Sequence, residues 1–381
     1  MMKAIIAIDS YKGSLTTFES GRAVAEGIKA VYKDAETVVC PLADGGEGTA
    51  ELITLAMNGQ MYEKNVTGPL GTSVSARWGY ITEKKTAVIE MAEAAGLPLV
   101  PDHLRDPRRT TTFGVGELMR EALDRGCREM LLCLGGSATN DGAMGALSAL
   151  GARFYDENDE LLGVTGADMC RVAKADLSGL DARLYDTRIR IACDVTNPLC
   201  GELGAAAVFG PQKGADSYAV MELDAGLSRY ADAIASAVGR DLRNAPGAGA
   251  AGGMAFGLMS VLSAEPQMGA ELVLASQGAE AALRGTELAI TGEGRCDGQT
   301  AAGKGPAAFC MMAKKEGAVT VSLCGSIGSG ADNSSADALF CIQQGAVSLA
   351  EAMKPENAVQ NIARTAEQML RLFLSSKTEE K

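Results

Sequence analysis

Residues 3–41, KAIIAIDSYKGSLTTFESGRAVAEGIKAVYKDAETVVCP, decide the fold. The apolar run Lys3–Asp9 reads as a buried strand, the amphipathic stretch Ser20–Tyr32 as a helix, and Thr37–Pro41 as a second strand. A further helix is expected at Glu47–Met57. The far end of the chain repeats the alternation: strand Glu287–Thr291, helix Pro306–Glu316, strands Val319–Gly325 and Ala338–Ile342, and an amphipathic helix near Ala358–Leu374. Strands alternating with helices imply a parallel sheet covered on both faces. The strands of the two termini together predict one doubly wound sheet of the Rossmann or flavodoxin kind.

The middle of the chain has a different rhythm. Val66–Glu90 alternates in short segments with turns at Gly68-Pro69 and Thr82–Lys85, which predicts antiparallel hairpins. Ala152–Leu162 predicts another, turning at Glu157-Asn158-Asp159. Between them lie apolar strands Met130–Leu134 and Arg188–Asp194 and helices near Gly114–Arg125 and Gly142–Leu150. The expected organisation is a discontinuous doubly wound domain, residues 1–64 and 280–381, with a mixed-sheet α/β domain inserted at 65–279. A ligand site is expected in the cleft between them.

Composition removes several classes of function. Of 381 residues, 47% are hydrophobic and 22% charged, so the chain is globular, and its net charge of −13 leaves no broad footprint for nucleic acid or anionic lipid. His103 is the only histidine, which excludes multi-histidine zinc sites. The ten cysteines include no Cys-x-x-Cys pair, and most sit in apolar runs, the pattern of a reducing cytoplasm. The run Ala4–Ile8 is too short for a signal-peptide core. Residues 245–264 are uncharged over the length of a membrane span, but Pro246 and five glycines make them a loop entering a buried helix. No membrane association is expected.

Two loops match well-known patterns imperfectly. Gly247-Ala-Gly249-Ala-Ala-Gly252 is G-x-G-x-x-G without the preceding strand or the acid about 20 residues later that a dinucleotide site needs. Gly298-Gln-Thr-Ala-Ala-Gly303-Lys304-Gly305 is a P-loop with glycine where Ser or Thr would hold Mg²⁺. It still stands between a strand and a helix, a setting that attracts phosphate.

A recurring theme carries more. Asp44-Gly-Gly46-Glu-Gly48-Thr49, Gly135-Gly136-Ser137-Ala-Thr139-Asn140-Asp141-Gly142, Asp194-Val-Thr196-Asn197-Pro198 and Gly292-Glu293-Gly-Arg295-Cys-Asp297 each follow an apolar strand. Strand C-terminal ends are where α/β folds bind ligands. Phosphoryl transfer suits the set: glycine N–H groups for phosphate, Asp or Glu for Mg²⁺, and Lys12 or Lys213 for developing charge. Arg295, between Gly294 and Asp297, suits bidentate capture of a carboxylate.

These blocks, together with Asp9-Ser10-Tyr11-Lys12-Gly13-Ser14 and Phe209-Gly-Pro-Gln-Lys213-Gly214, resemble in order the bacterial type-1 glycerate kinases over roughly residues 3 to 370. The resemblance implies a two-domain, ATP- and Mg²⁺-dependent enzyme that phosphorylates glycerate, with 2-phosphoglycerate as product. Ala143 stands where that family usually has a second glycine. Cys296-Asp297-Gly298-Gln299-Thr300 also departs, with Cys296 ahead of the expected Asp. On this framework the catalytic residues are Asp194, Lys12 and Lys213, and Arg295, Ser14 and Asp9 bind substrate. Gly135, Gly136, Ser137, Thr139, Asn140, Gly303 and Lys304 face the nucleotide, and Asp44, Asp194 and Glu293 hold the metal. The motifs leave open which hydroxyl is attacked, which carboxylate is the base, and whether the protein is a monomer or a homodimer. Two other readings are an NAD-dependent hydroxy-acid dehydrogenase, resting on the G-x-G-x-x-G alone, and a non-catalytic metabolite-binding protein.

Overall fold

The computed structural model describes residues 2–11, 13–42, 48–296, 305–328, 331 and 335–377. The chain forms two compact units, Met1–Asp44 with Ala270–Lys381, and Gly45–Gly269. The expected boundaries near 65 and 280 thus lie further along the chain than those of the units. Helix Thr49–Ala56, expected beside the terminal sheet, packs instead on strands of the middle unit.

The terminal unit opens with β1 (Lys3–Ile8) and β2 (Glu36–Val39). Between them runs helix Thr17–Val31, started by a capping box in which Thr16 and Glu19 satisfy each other's backbone N–H. The middle unit carries β3 (Gln60–Thr67), β4 (Ser73–Ile81), β5 (Thr86–Glu90), β6 (Glu129–Cys133), β7 (Arg153–Tyr155), β8 (Lys174–Asp176), β9 (Arg188–Ala192) and β10 (Glu265–Gln267). The chain then returns with β11 (Leu288–Cys296), β12 (Val319–Ile327) and β13 (Ala338–Cys341).

The terminal sheet is all parallel in the order β13-β12-β11-β1-β2. Read from β2, this is the flavodoxin-like order, and the direction of winding reverses between β1 and β11. The period-two pleat explains why β1 is apolar throughout. Ala4, Ile6 and Ile8 pack with Val24, Ile28, Ile362 and Leu370 on one face, while Ile5 and Ala7 pack with Leu274, Phe309 and Ala313 on the other.

The middle sheet is mixed, in the order β10-β9-β6-β5-β4-β3. Both expected hairpins form, β3 with β4 and β4 with β5, and β5, β6, β9 and β10 continue in parallel. The hairpin expected within Ala152–Leu162 reduces to one bridge, Tyr155 to Leu161, and β7 pairs with β8 instead. The Asp156 carboxylate accepts the N–H groups of Asn158 and Glu160 and closes the turn, while the Tyr155 carbonyl accepts the Ala173 N–H on the β8 side.

The uncharged stretch 245–264 becomes helix Ala250–Leu262, most of it buried, with Ala251, Gly252 and Gly253 in left-handed conformation at φ 53°, 67° and 84°. Among the described residues no helix is long and apolar enough to cross a membrane. Gly252 is required twice over. A Cβ there would lie 2.1 Å from the Thr139 carbonyl oxygen, and the backbone is left-handed as well. Gly71 has the left-handed backbone at φ 79° but open space around it. Gly71→Ala is therefore expected to cost about 1 kcal/mol, from conformation alone. Gly252→Ala is expected to cost about 2–4 kcal/mol, because overpacking adds to that. Urea unfolding of the two variants checks the gap, and equal losses would show that the loop at Thr139 yields freely.

Candidate active site

In the terminal unit the C-terminal ends of β1 and β11 lie side by side, with Ile8 in register with Gly292 and the Asp9 N–H donating to the Gly292 carbonyl at 2.9 Å. Asp9, Ser10, Glu293 and Arg295 line a cavity of about 680 Å³ at this point. That is the switch point of the sheet, where open α/β folds hold ligands. Arg295 differs in setting from the expectation. It lies on β11, which runs on to Cys296 and pairs Arg295 with Ser326, and not in a loop. Glu293 and Arg295, two apart on one strand, share its cavity-facing side. Tyr11 donates from its hydroxyl to the Leu323 carbonyl at 2.9 Å, and burial, then the neighbouring Cys324 and Glu293, hold its pKa well above the ordinary range. Ser14 lines the cavity too, and its buried hydroxyl has no protein partner.

Gly305 and Pro306, the first residues of helix Gly305–Lys315, form another wall. Proline suits the first turn because the N–H it lacks has no intrahelical partner there. The remaining lining is largely apolar: Leu42, Ile342, Val347, Leu349 and Met353. Lys12, Asp44, Gly303 and Lys304, all assigned from sequence, lie outside the described residues.

The middle unit gathers a second polar cluster beyond the parallel strands β5, β6 and β9. Asp141 is fully buried, and its carboxylate accepts the Thr112 N–H at 2.7 Å, the Thr112 hydroxyl at 2.8 Å and the Gly145 N–H at 3.2 Å. Burial raises its pKa, and those same bonds oppose the rise without cancelling it. Thr112 accepts the Ala146 N–H at 3.0 Å. The N-terminus of helix Met144–Ala149 is thus occupied by the protein's own side chains. Lys213 is 2% exposed and donates to the Thr139 carbonyl at 2.6 Å. Burial lowers its pKa to about 7, with Asp141 opposing the shift. The Thr139 hydroxyl, both amide atoms of Asn140, Asp141 Oδ1 and the Tyr230 hydroxyl are buried here without a protein hydrogen bond.

The other assigned residues of this unit fall nearby in sequence but differ in exposure. Gly136 is exposed, Gly135 half-buried and Ser137 buried, and the Gly136 carbonyl and Ala138 N–H pair with the Ala95–Leu97 segment. Asp194 is exposed just past β9, and its Oδ1 accepts the Gly269 N–H at 2.6 Å. Glu90 and Tyr230 were not singled out from the sequence, whereas Thr112 closes the stretch Arg105–Thr112 expected there as a loop and helix cap. Glu90 is 3% exposed at the end of β5, where it accepts the N–H groups of Gly48 and Ala50 and caps helix Thr49–Ala56. The signal was an acid closing the apolar run Ala87-Val88-Ile89-Glu90, the same placement as in the assigned loops but without their glycines. Among the described residues no group of three or more His, Cys, Asp or Glu is arranged to hold a metal. The G-x-G-x-x-G loop builds no dinucleotide site, since Gly249 packs against Pro198 and Gly252 against Thr139.

A family model, the glycerate kinase family, matches residues 4–374. The chain belongs to the glycerate kinase family. It is 47% identical over 326 residues to a glycerate 2-kinase of Escherichia coli (strain K12), covering 86% of each chain. It is 43% identical over 380 residues to a glycerate kinase of Bacillus subtilis (strain 168), covering 99% of each. A crystal structure assigned to glycerate kinase 2 from Salmonella typhimurium LT2 superposes with a TM-score of 0.90 at 41% identity over 99% of both chains. The geometry explains one departure from the family pattern. Ala143, where glycine is usual, is left-handed at φ 68°, so the family glycine answers a backbone demand that alanine meets under strain.

The buried Lys213 has a consequence for stability. Its pKa is near 7 when folded and about 10.4 when unfolded, so between those values the unfolded chain holds the extra proton. The stability this group confers is present above about pH 10.4 and is lost as pH falls toward 7. Lys213→Met is therefore expected to gain stability over the parent by a few kcal/mol near pH 7 and to lose most of that advantage near pH 10. Parallel denaturant titrations at the two pH values test this, and a pH-independent difference would mean that Lys213 keeps its charge throughout.

Proposed function

We propose that the protein transfers the γ-phosphoryl group of ATP, with Mg²⁺, to a hydroxyl of D-glycerate, giving ADP and preferentially 2-phosphoglycerate. The cavity at the β1–β11 switch point carries this reading, because one small volume there combines carboxylates, a hydroxyl and an arginine. Family membership supports the acceptor, and the name of the Escherichia coli relative, glycerate 2-kinase, supports the 2-hydroxyl.

Glycerate offers a carboxylate and two hydroxyls. Arg295 suits the carboxylate, since a planar guanidinium can form two charge-assisted bonds at once. Ser14 can bond a hydroxyl. Mg²⁺ is usually held by one or two carboxylates together with substrate phosphates, and Asp9 and Glu293 supply hard oxygen donors of that kind. When bound, the ion would neutralise charge on the transferring phosphoryl group. From their sequence motifs alone, Asp194 acts as a metal ligand or as the base, and Lys12 and Lys213 balance developing charge. The acceptor oxygen bonds to the γ-phosphorus, the bond from that phosphorus to the bridging oxygen breaks, ADP leaves with the electron pair, and the base takes the hydroxyl proton.

Turnover is checked by ADP release with a panel of hydroxy acids, ATP and Mg²⁺, and the product by phosphorus NMR. Glycerate-independent ADP release, or a 3-phosphoglycerate product, would defeat the corresponding part of the proposal. Arg295→Lys is expected to raise the KM for glycerate about tenfold or more, since a charge-assisted bond is worth about 1.5–3 kcal/mol, while the melting temperature stays put. A lower melting temperature with unchanged KM would make Arg295 a structural ion-pair partner instead. Asp194→Asn is expected to lower kcat by a factor of about 10²–10⁴. A kcat within about threefold of the parent would leave Asp194 a structural role alone.

A further inference from the structure

The cavity of the terminal unit is too large for the acceptor alone. Glycerate has seven non-hydrogen atoms, which fill about 210 Å³ even at the volume of a water molecule each. The cavity measures about 680 Å³. Its polar groups are concentrated at the strand ends, while the wall made by residues 342–353 is apolar and open. Val347 is 55% exposed and Leu349 74% exposed, yet both line the cavity beside Ile342 and Met353. Large apolar side chains left uncovered around a concave site mark a surface for an apolar ligand face. Gln343 adds a specific feature. It lines the same wall, and its buried side-chain oxygen has no hydrogen-bond partner in the protein. A buried acceptor without a donor is costly unless a ligand supplies one.

We propose that this wall seats the adenosine of the phosphoryl donor, with the Gln343 amide reading the edge of the adenine. The inference rests on the kinase reading and extends it to the donor's location and base preference. The cavity has room for adenosine, whose nineteen non-hydrogen atoms need about 570 Å³ on the same generous scale. The chemistry agrees too. A carboxamide can accept from the exocyclic amine of adenine and donate to N7, whereas guanine presents an acceptor where adenine has that amine. Val347, Leu349 and Met353 would cover the faces of the base. The triphosphate would then run toward Asp9, Glu293 and the start of helix Gly305–Lys315.

Ala352 lines the cavity on the short helix Leu349–Ala352, so Ala352→Trp fills the space assigned to the base. Calorimetric titration with MgATP, without glycerate, is expected to show at least tenfold weaker binding than in the parent, and steady-state kinetics a KM for glycerate within about twofold. Gln343→Ala is expected to weaken ATP while leaving GTP unchanged, reducing the preference between them about tenfold. Leu349→Asp, at a side chain that contributes little to folding, repeats the first test if the tryptophan variant misfolds. MgATP binding within twofold of the parent in the folded variants would overturn the proposal, as would a rise confined to the glycerate KM. Because the titration contains no acceptor, its result separates from that of the kinase reading. A parent that binds MgATP at this wall but never phosphorylates glycerate would sink that reading and keep the site.

Discussion

The pairing of β1 with β11 is the contact on which the rest depends. Residues 4–8 lie in parallel register with 288–292, and the Thr291 hydroxyl donates to the Ala7 carbonyl at 2.7 Å across the same ladder. This closes a loop of some 280 residues, an entropic cost that grows only slowly with length. The pairing makes the chain between them an insertion and gives the terminal sheet its reversal of winding. It also brings Asp9, encoded near the start, beside Glu293 and Arg295, encoded near the end. No local sequence feature could put those three together.

Most strands of the two sheets, though not β10 or the first part of β3, were legible because burial on two faces demands continuous apolar runs and burial on one face demands alternation. Lys3–Ile8 and Ser73–Ile81 are the two cases. The helix after Pro41 was legible as a helix but not as a member of the middle unit. Its partner is the Glu90 carboxylate, some forty residues on in the chain. Arg295 was legible as a candidate for binding an anion, but its place on a strand was hidden by the glycines around it. Gly292 sits where a Cβ would lie 2.0 Å from the Leu323 carbonyl, so it serves close packing between strands and not a turn.

The cavity's apolar wall was not legible at all. Ile342, Val347, Leu349 and Met353 are scattered through a stretch with no catalytic motif, and each alone is an ordinary surface or core residue. Only the fold shows that they share one concavity with the strand ends. The family was readable from ordered glycine-flanked blocks because the residues of each block are close to one another in sequence. Recognition of a large, flat ligand face needs area, and area can be assembled from anywhere.

The middle unit makes a different use of polar groups, and its logic is mechanical. The loop from Gly135 to Gly142 belongs to no ladder, yet it is clamped along its length. Leu97 donates to the Gly136 carbonyl, Ala138 donates to Ala95, and Thr110 donates to the Ala138 carbonyl. Lys213 donates to the Thr139 carbonyl, and Gly142 donates to Gly252. Two of these clamps are expensive: Lys213 is taken out of water, and the Gly252 segment adopts three successive left-handed residues. A loop needed only to connect a strand to a helix would be held by cheaper means, since connecting segments ordinarily run on the surface. The expense makes sense if the positions of Thr139, Asn140 and Asp141 must be fixed before anything binds, because pre-organised polar groups need no rearrangement when charge develops near them. The left-handed glycines are therefore best understood as a brace for that loop, which is why their resemblance to a dinucleotide fingerprint has no dinucleotide behind it.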